Sequence, residues 1–464
     1  MRGNRLIGIV ATLFLLALGA TATASVYLVE RRAHAHKVHD HSSHHHGARN
    51  VVASAAFPDE RLSDVPCENG IAGPFQCDGV DLLSFVPLDE FRGIDAQAVL
   101  GGGTSDLWGW TDPETDDEYV IIGKTNGTAF FRVTNPTNPV YLGEIPNTAA
   151  AQLIWHDIKV YEDHAFIVSE SNPHGMRVFD LTRLRGVTEP QTFVEDMRYP
   201  LNWAAHNIAI NEETGYAYIV GGNEGIVVPD HCQAGLHMVD ISDPMLPLFA
   251  GCYTGDGYVH DTQCVVYRGP DETHHDKEVC FNSSEDQVSI VDVTDKSNPV
   301  VLGRLTYPRS NYTHQGWLTE DQSHFLLGDE GDEQNFAMNT RTLILDVSDL
   351  DAPVLRGEHF GTTRAIDHNM YVLDRLVYQS NYRAGLRILD TAKVAEGLLT
   401  EVAFFDTLPG ANTATFFGTW SNYPYFESGT IAVSGMDEGL FLLKVRPEVF
   451  EELEELEAPA TSEV

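Results

Sequence analysis

The chain has 464 residues, with 68 Asp or Glu against 29 Lys or Arg and a formal net charge of −39. A surface this acidic argues against nucleic acid and anionic membrane as ligands, because both repel it. It suits solubility in a saline medium, attraction of cations, or Ca²⁺ binding at surface carboxylates.

The first 50 residues depart from that balance, with six Lys or Arg and two acids. Leu6 to Val29 is an uncharged run of 24 residues preceded by Arg2 and Arg5, long enough to span a bilayer as a helix. Ala20-Thr-Ala-Thr-Ala24 also offers small-residue cleavage sites. Residues 1–30 therefore read as a signal peptide or a membrane-anchor helix. Either one exports the chain to the cell surface, the periplasm or the medium, and an uncleaved segment tethers it to the membrane. Residues 31–66 read as a disordered, His-rich linker, with seven of the 20 histidines between His34 and His46. Such a tract holds Zn, Cu or Ni weakly, or is merely solvated.

From Cys67 onward, short β-branched and aromatic runs alternate with Gly, Asn, Asp and Pro, which is strand and turn chemistry. Six cysteines allow 15 pairings. Proximity favours the disulfides Cys67–Cys77, Cys232–Cys252 and Cys264–Cys280, and none of these spacings is the CxxC of a zinc ribbon. Val80–Pro87 is a lone strand-like run before the first full unit.

A unit then repeats. An apolar run ends in Asp and is followed by Pro seven residues later in Leu236 to Pro247, Val288 to Pro299 and Thr342 to Pro353, with weaker copies around Phe130, Arg177, Leu386 and Leu440. The terminal Asp of each run, such as Asp240, Asp292, Asp346 and Asp390, reads as a cap on the next turn. Seven units of this length predict an all-β, seven-bladed β-propeller over residues 67–446. The last unit stops at Val445 without an outer strand, so Val80–Pro87 is expected to complete it and close the ring. Residues 447–464 form an acidic C-terminal tail.

A second motif runs in phase with the first: His156-Asp157, His206-Asn207, His260-Asp261, His314-Gln315 and His368-Asn369, spaced 50, 54, 54 and 54 residues apart. Equivalent positions of every blade meet around one axis, so these five imidazoles are expected at one mouth of the channel. Trp108 and Trp420 are expected at the same position in the first and last units. The loops after the second strands add Glu170 and His174, Asn223 and Glu224, Asn282 and Glu285, Asp329 and Glu330, and Asn381. Imidazoles suit Zn, Cu, Fe or Ni. Asp157, Glu170, His174, Glu224, Asp261, Glu285, Asp329 and Glu330 are candidates for further ligands or for partners that orient the rings. A purely structural reading stands beside this one, in which each His fastens two loops of its own blade. The acidic turn Gly328 to Glu333 can bind Ca²⁺ but lacks EF-hand spacing and is more often solvated. No GxSxG elbow, P-loop or dinucleotide fingerprint is present.

The segments Trp108-Gly-Trp-Thr-Asp-Pro113, His156-Asp-Ile-Lys-Val-Tyr161, Tyr258-Val-His-Asp-Thr-Gln-Cys264, Thr313 to Asp321, Asp367-His-Asn369, Ser380 to Leu386 and Trp420 to Pro424 resemble the bacterial choice-of-anchor B family of LVIVD-repeat proteins. The resemblance runs from about Cys67 to Val445. It implies an exported seven-bladed propeller held by some tether, and it implies no settled activity. Two functions stay open: a metal-binding protein whose His-lined site supports an enzymatic reaction, or a non-enzymatic scaffold holding a protein, glycan or small-molecule ligand on its top face.

Overall fold

A computed structural model describes residues 57–92, 102–149, 152–202, 204–222, 232–410 and 412–457. The export segment, the His-rich tract, Asn223 and Glu224 lie outside the described residues. Seven sheets follow one another along the chain, each built on four antiparallel strands. Blade 1 holds Thr104–Thr111, Glu118–Lys124, Gly127–Arg132 and Val140–Pro146. Blade 2 runs from His156–Tyr161, blade 3 from Asn207–Asn211, blade 4 from Asp261–Val266, blade 5 from Thr313–Leu318, blade 6 from Met370–Leu373 and blade 7 from Thr419–Tyr423. These first strands are innermost, and each neighbours the first strand of the next blade until blade 7 meets blade 1.

Blade 7 contributes Thr419–Tyr423, Ile431–Gly435 and Gly439–Val445 from the C-terminal end, and its fourth strand is Val80–Pro87, paired from Gly439 opposite Pro87 to Val445 opposite Val80. Phe75, Phe85, Phe405 and Phe441 pack behind this joint, with the Phe85 and Phe441 rings 4.7 Å apart. Before Cys67, Leu62–Val65 adds a fifth strand against Val80–Pro87. At the other end, the acidic stretch opens with helix Pro447–Glu457, which buries Val449 and Leu453 in the same cluster.

The repeated Asp residues explain the blade length. The carboxylates of Asp240, Asp292, Asp346 and Asp390 accept hydrogen bonds from the backbone N–H two residues on, at 3.0, 3.0, 3.0 and 3.1 Å. Each therefore ends a third strand with an Asx turn. The next turn packs on the previous blade at a glycine: a Cβ on Gly303 would overlap the Leu350 carbonyl, and one on Gly251 would overlap that of Lys296. The three disulfides are Cys67–Cys77, Cys232–Cys252 and Cys264–Cys280, in sequential order, and they suit an oxidising, extracytoplasmic compartment. Among the described residues no helix is long and apolar enough to cross a membrane.

Candidate metal centre

The innermost strands begin at one mouth of the channel, here the top, and the repeated histidines stand at those beginnings. In blade 5 the ladder register shifts between Thr313 and Gln315, and in blade 7 between Thr419 and Ser421. The skipped residues are His314 and Trp420, and a bulge of this kind re-aims the side chain it frees. Consecutive rings are close: His206 to His260 is 4.4 Å between centroids, His260 to His314 4.2 Å, His314 to His368 4.5 Å and His368 to Trp420 4.5 Å. Four imidazoles and one indole thus form a continuous arc.

His156 stands apart from the arc, with its ring 5.6 Å from that of His174. Its Nδ1 bonds the Ile154 carbonyl at 3.1 Å, and its Nε2 is buried without a hydrogen bond among the described residues. The indole expected at this level in blade 1 is a correction. The counterpart of His156 is Ser105, which exchanges hydrogen bonds with the His156 backbone, and Asp106 accepts from Ile158 N–H as Asp157 accepts from Ile208 N–H. Trp108 lies three residues farther down the strand. The blade 1 ladder shifts register between Thr104 and Leu107, which displaces the motif.

The polar residue after three of the histidines ties one blade to the next. Asp157 Oδ2 accepts from Ile208 N–H at 2.6 Å, Asn207 donates to the His260 carbonyl at 3.0 Å, and Gln315 both accepts from Met370 N–H and donates to its carbonyl. Asp157 is further engaged by Lys159 at 2.6 Å. Asp261 accepts from Thr262 N–H, and burial pushes its carboxyl up to about 7. Asp329 is also committed, accepting from the N–H groups of Asn311 and Tyr312 and from the Tyr307 hydroxyl.

Other members of the expected set do reach the arc. His206 Nδ1 lies 2.6 Å from Glu170 Oε1. Burial opposes charge on this imidazole, but the hydrogen bond and charge of Glu170 prevail and raise its pKa. Glu170, Glu285 and Glu330 all add to burial in raising the pKa of the Tyr258 and Tyr312 hydroxyls, so three blades send a carboxylate to one mouth. Glu330 is central: its Oε2 lies 3.8 Å from His314 Nε2 and its Oε1 3.7 Å from His368 Nε2. The Tyr382 hydroxyl donates to Oε1 at 2.6 Å and fixes the carboxylate.

Those two separations exceed a hydrogen bond. They approach the roughly 3.4 Å between two ligands of a tetrahedral ion bound at ~2.1 Å. All three ligand atoms fall within 4.8 Å of one another, and all three residues are buried. The ring orientation fits as well. His260 Nδ1 meets the His314 carbonyl at 3.0 Å and His368 Nδ1 meets the Trp420 carbonyl at 2.5 Å. A carbonyl only accepts, so each Nδ1 carries the proton and each Nε2 keeps its lone pair. Burial holds His368 at about 3 and His156 at about 4, so both rings are neutral, the form a metal takes. Burial raises Glu330 to about 7.

A second space opens at the other end of the channel, a cavity of about 510 Å³ whose lining includes Trp108, Lys159, Asp261, Gln263, Trp317 and Tyr371. The sequence reading missed it. The signal was present, because Lys159, Gln263, Trp317 and Tyr371 each stand two residues beyond the polar residue that follows a repeated His, and alternate residues of a strand share a face.

These features define a seven-bladed β-propeller with a buried His/Glu cluster at the top of its channel. Residues 232–255 match the LVIVD repeat, the span that holds the Asp240 turn. No curated protein matches the chain. Among solved structures it is similar to a functionally unknown protein from Desulfotomaculum acetoxidans DSM 771, at 11% identity over 67% of this chain and 87% of that one, with a TM-score of 0.46. It is also similar to a protein from Lactobacillus plantarum, at 13% identity over 71% and 88% of the two chains, with a TM-score of 0.43.

Proposed function

We propose that this is an extracytoplasmic propeller of the choice-of-anchor B type, secreted or tethered by Leu6 to Val29, whose top mouth binds a divalent transition metal. The carrying observation is the convergence of His314, Glu330 and His368. Two imidazoles and one carboxylate select Zn, Cu, Fe or Ni over Mg or Ca. Of the five repeated histidines, His260 and His206 stand next along the arc as further ligands or as walls of the site, and Glu170 orients His206. Tyr382 orients the ligand carboxylate. Three protein ligands leave coordination positions for water and substrate, the arrangement that metal-assisted hydrolysis or redox chemistry requires. Within this reading, Val80–Pro87 serves as the clasp that closes the ring.

One observation favours a second reading, a scaffold for a protein, glycan or small molecule. His260 and His368 each bond the next blade's backbone, which a structural fastener would also do. Metal content separates the two. The full chain and its His314→Ala/His368→Ala variant carry the same His-rich tract, so the difference between them reports the arc. About one equivalent of transition metal more in the wild type is expected, since a three-ligand site holds one ion. Equal metal content in two folded proteins refutes the metal reading.

A further inference from the structure

A second cluster of acids lies just beyond Glu330 and is built from oxygen alone. The loop after His324–Asp329 runs through Glu330 and Gly331 into the short helix Asp332–Phe336, and Asp367 stands immediately before His368 on the next blade. Ligand oxygens of Asp332, Glu333 and Asp367 lie within 4.8 Å of one another. The three residues are 0%, 0% and 1% exposed.

Most buried carboxylate oxygens in proteins are hydrogen-bonded, since desolvating them without a partner is costly. Here both oxygens of Asp367, Oδ1 of Asp332 and Oε2 of Glu333 receive no hydrogen bond among the described residues. One cation reaches the group: Arg341 Nε contacts Asp332 Oδ2 at 2.6 Å. The rest of that guanidinium is spent on Glu358 and on the carbonyls of Pro308 and Arg309. Three carboxylates therefore face one shared positive charge. The backbone is shaped around them, because a Cβ on Gly328 would overlap Asp367 Oδ2.

We propose that Asp332, Glu333 and Asp367 form a Ca²⁺ site linking blades 5 and 6. Ca²⁺ takes six to eight oxygen ligands in flexible geometry, and three carboxylates able to bind through one or both oxygens supply much of that shell. Transition metals would instead prefer the imidazoles beside Glu330. The bound ion answers the unpaired oxygens and pins the Glu330 loop to the strand that carries His368. A proton shared among the carboxyls is the competing way to neutralise the cluster.

The test is thermal unfolding of the full chain after chelation, with and without about 10 mM Ca²⁺, a concentration that saturates sites of the affinity common in extracellular modules. A rise in Tm of about 2 °C or more is expected at roughly tenfold excess over Kd. The rise should be lost in Asp367→Asn and Glu333→Gln and kept in His314→Ala, which separates this site from the imidazole arc. Direct Ca²⁺ titration of the wild type by calorimetry covers the case of a variant that does not fold, and a saturable site is expected there. A wild type whose Tm ignores Ca²⁺ and rises only on acidification holds a shared proton, and that overturns the proposal. So does a Ca²⁺ response that survives in both carboxylate variants.

Discussion

Glu438 sits in the turn between the last two C-terminal strands of blade 7, 9% exposed, with its Oε2 accepting from Asp437 N–H at 3.2 Å. Burial first, and the charge of Asp437 second, raise its carboxyl from 4.5 to about 7. The folded protein therefore holds a proton that the unfolded chain releases between those two values. Stability from this group is complete below pH 4.5 and is lost as pH climbs to about 7. At about 1.4 kcal/mol per pH unit the loss amounts to roughly 3 kcal/mol. Glutamine copies the neutral form. Glu438→Gln should match the wild type near pH 4 and exceed it by about 3 kcal/mol above neutrality, read from urea midpoints across the range. Asp261, also raised to about 7 by burial, keeps some of the same slope in the variant. Parallel stability curves for the two proteins would refute the reasoning, because they would mean that Glu438 ionises in the fold as it does in water.

Two further outcomes test the blade architecture. Asp157→Ala removes the acceptor of Ile208 N–H and takes one of the two carboxylates paired with the buried Lys159, leaving Asp106; a loss of about 3 kcal/mol is expected, with a smaller loss for Asp157→Asn, and equal effects would show that the interblade bond carries nothing. Gly303→Ala forces a methyl group against the Leu350 carbonyl; about 1–3 kcal/mol should be lost in the same assay, and a neutral result would mean that adjacent blades can slide apart.

Much of the fold could be read from residues because its information is local. Asp240, Asp292 and Asp346 each end a strand through a hydrogen bond two residues away, so the turn that sets blade length is written in a few adjacent letters. Proximity alone favoured the three disulfides that form, since each joins cysteines that are neighbours in sequence. The site was legible only as a list. Spacing named His314, His368 and Glu330 together with Asp157, Asp261 and Asp329, and nothing in the spacing separated the first group from the second. Asp329 is consumed by backbone N–H groups while the adjacent Glu330 faces two imidazoles, a difference of one residue in a loop.

Seven blades and their period follow from the chain alone, because turns and caps act over a few residues, while proximity favoured one cysteine pairing among 15. Tertiary structure alone decided which histidines share a site, where Trp108 points and which carboxylates are left without donors. Those outcomes depend on bulges that shift strand register by a residue and on distances between side chains about fifty residues apart. No local pattern encodes such distances.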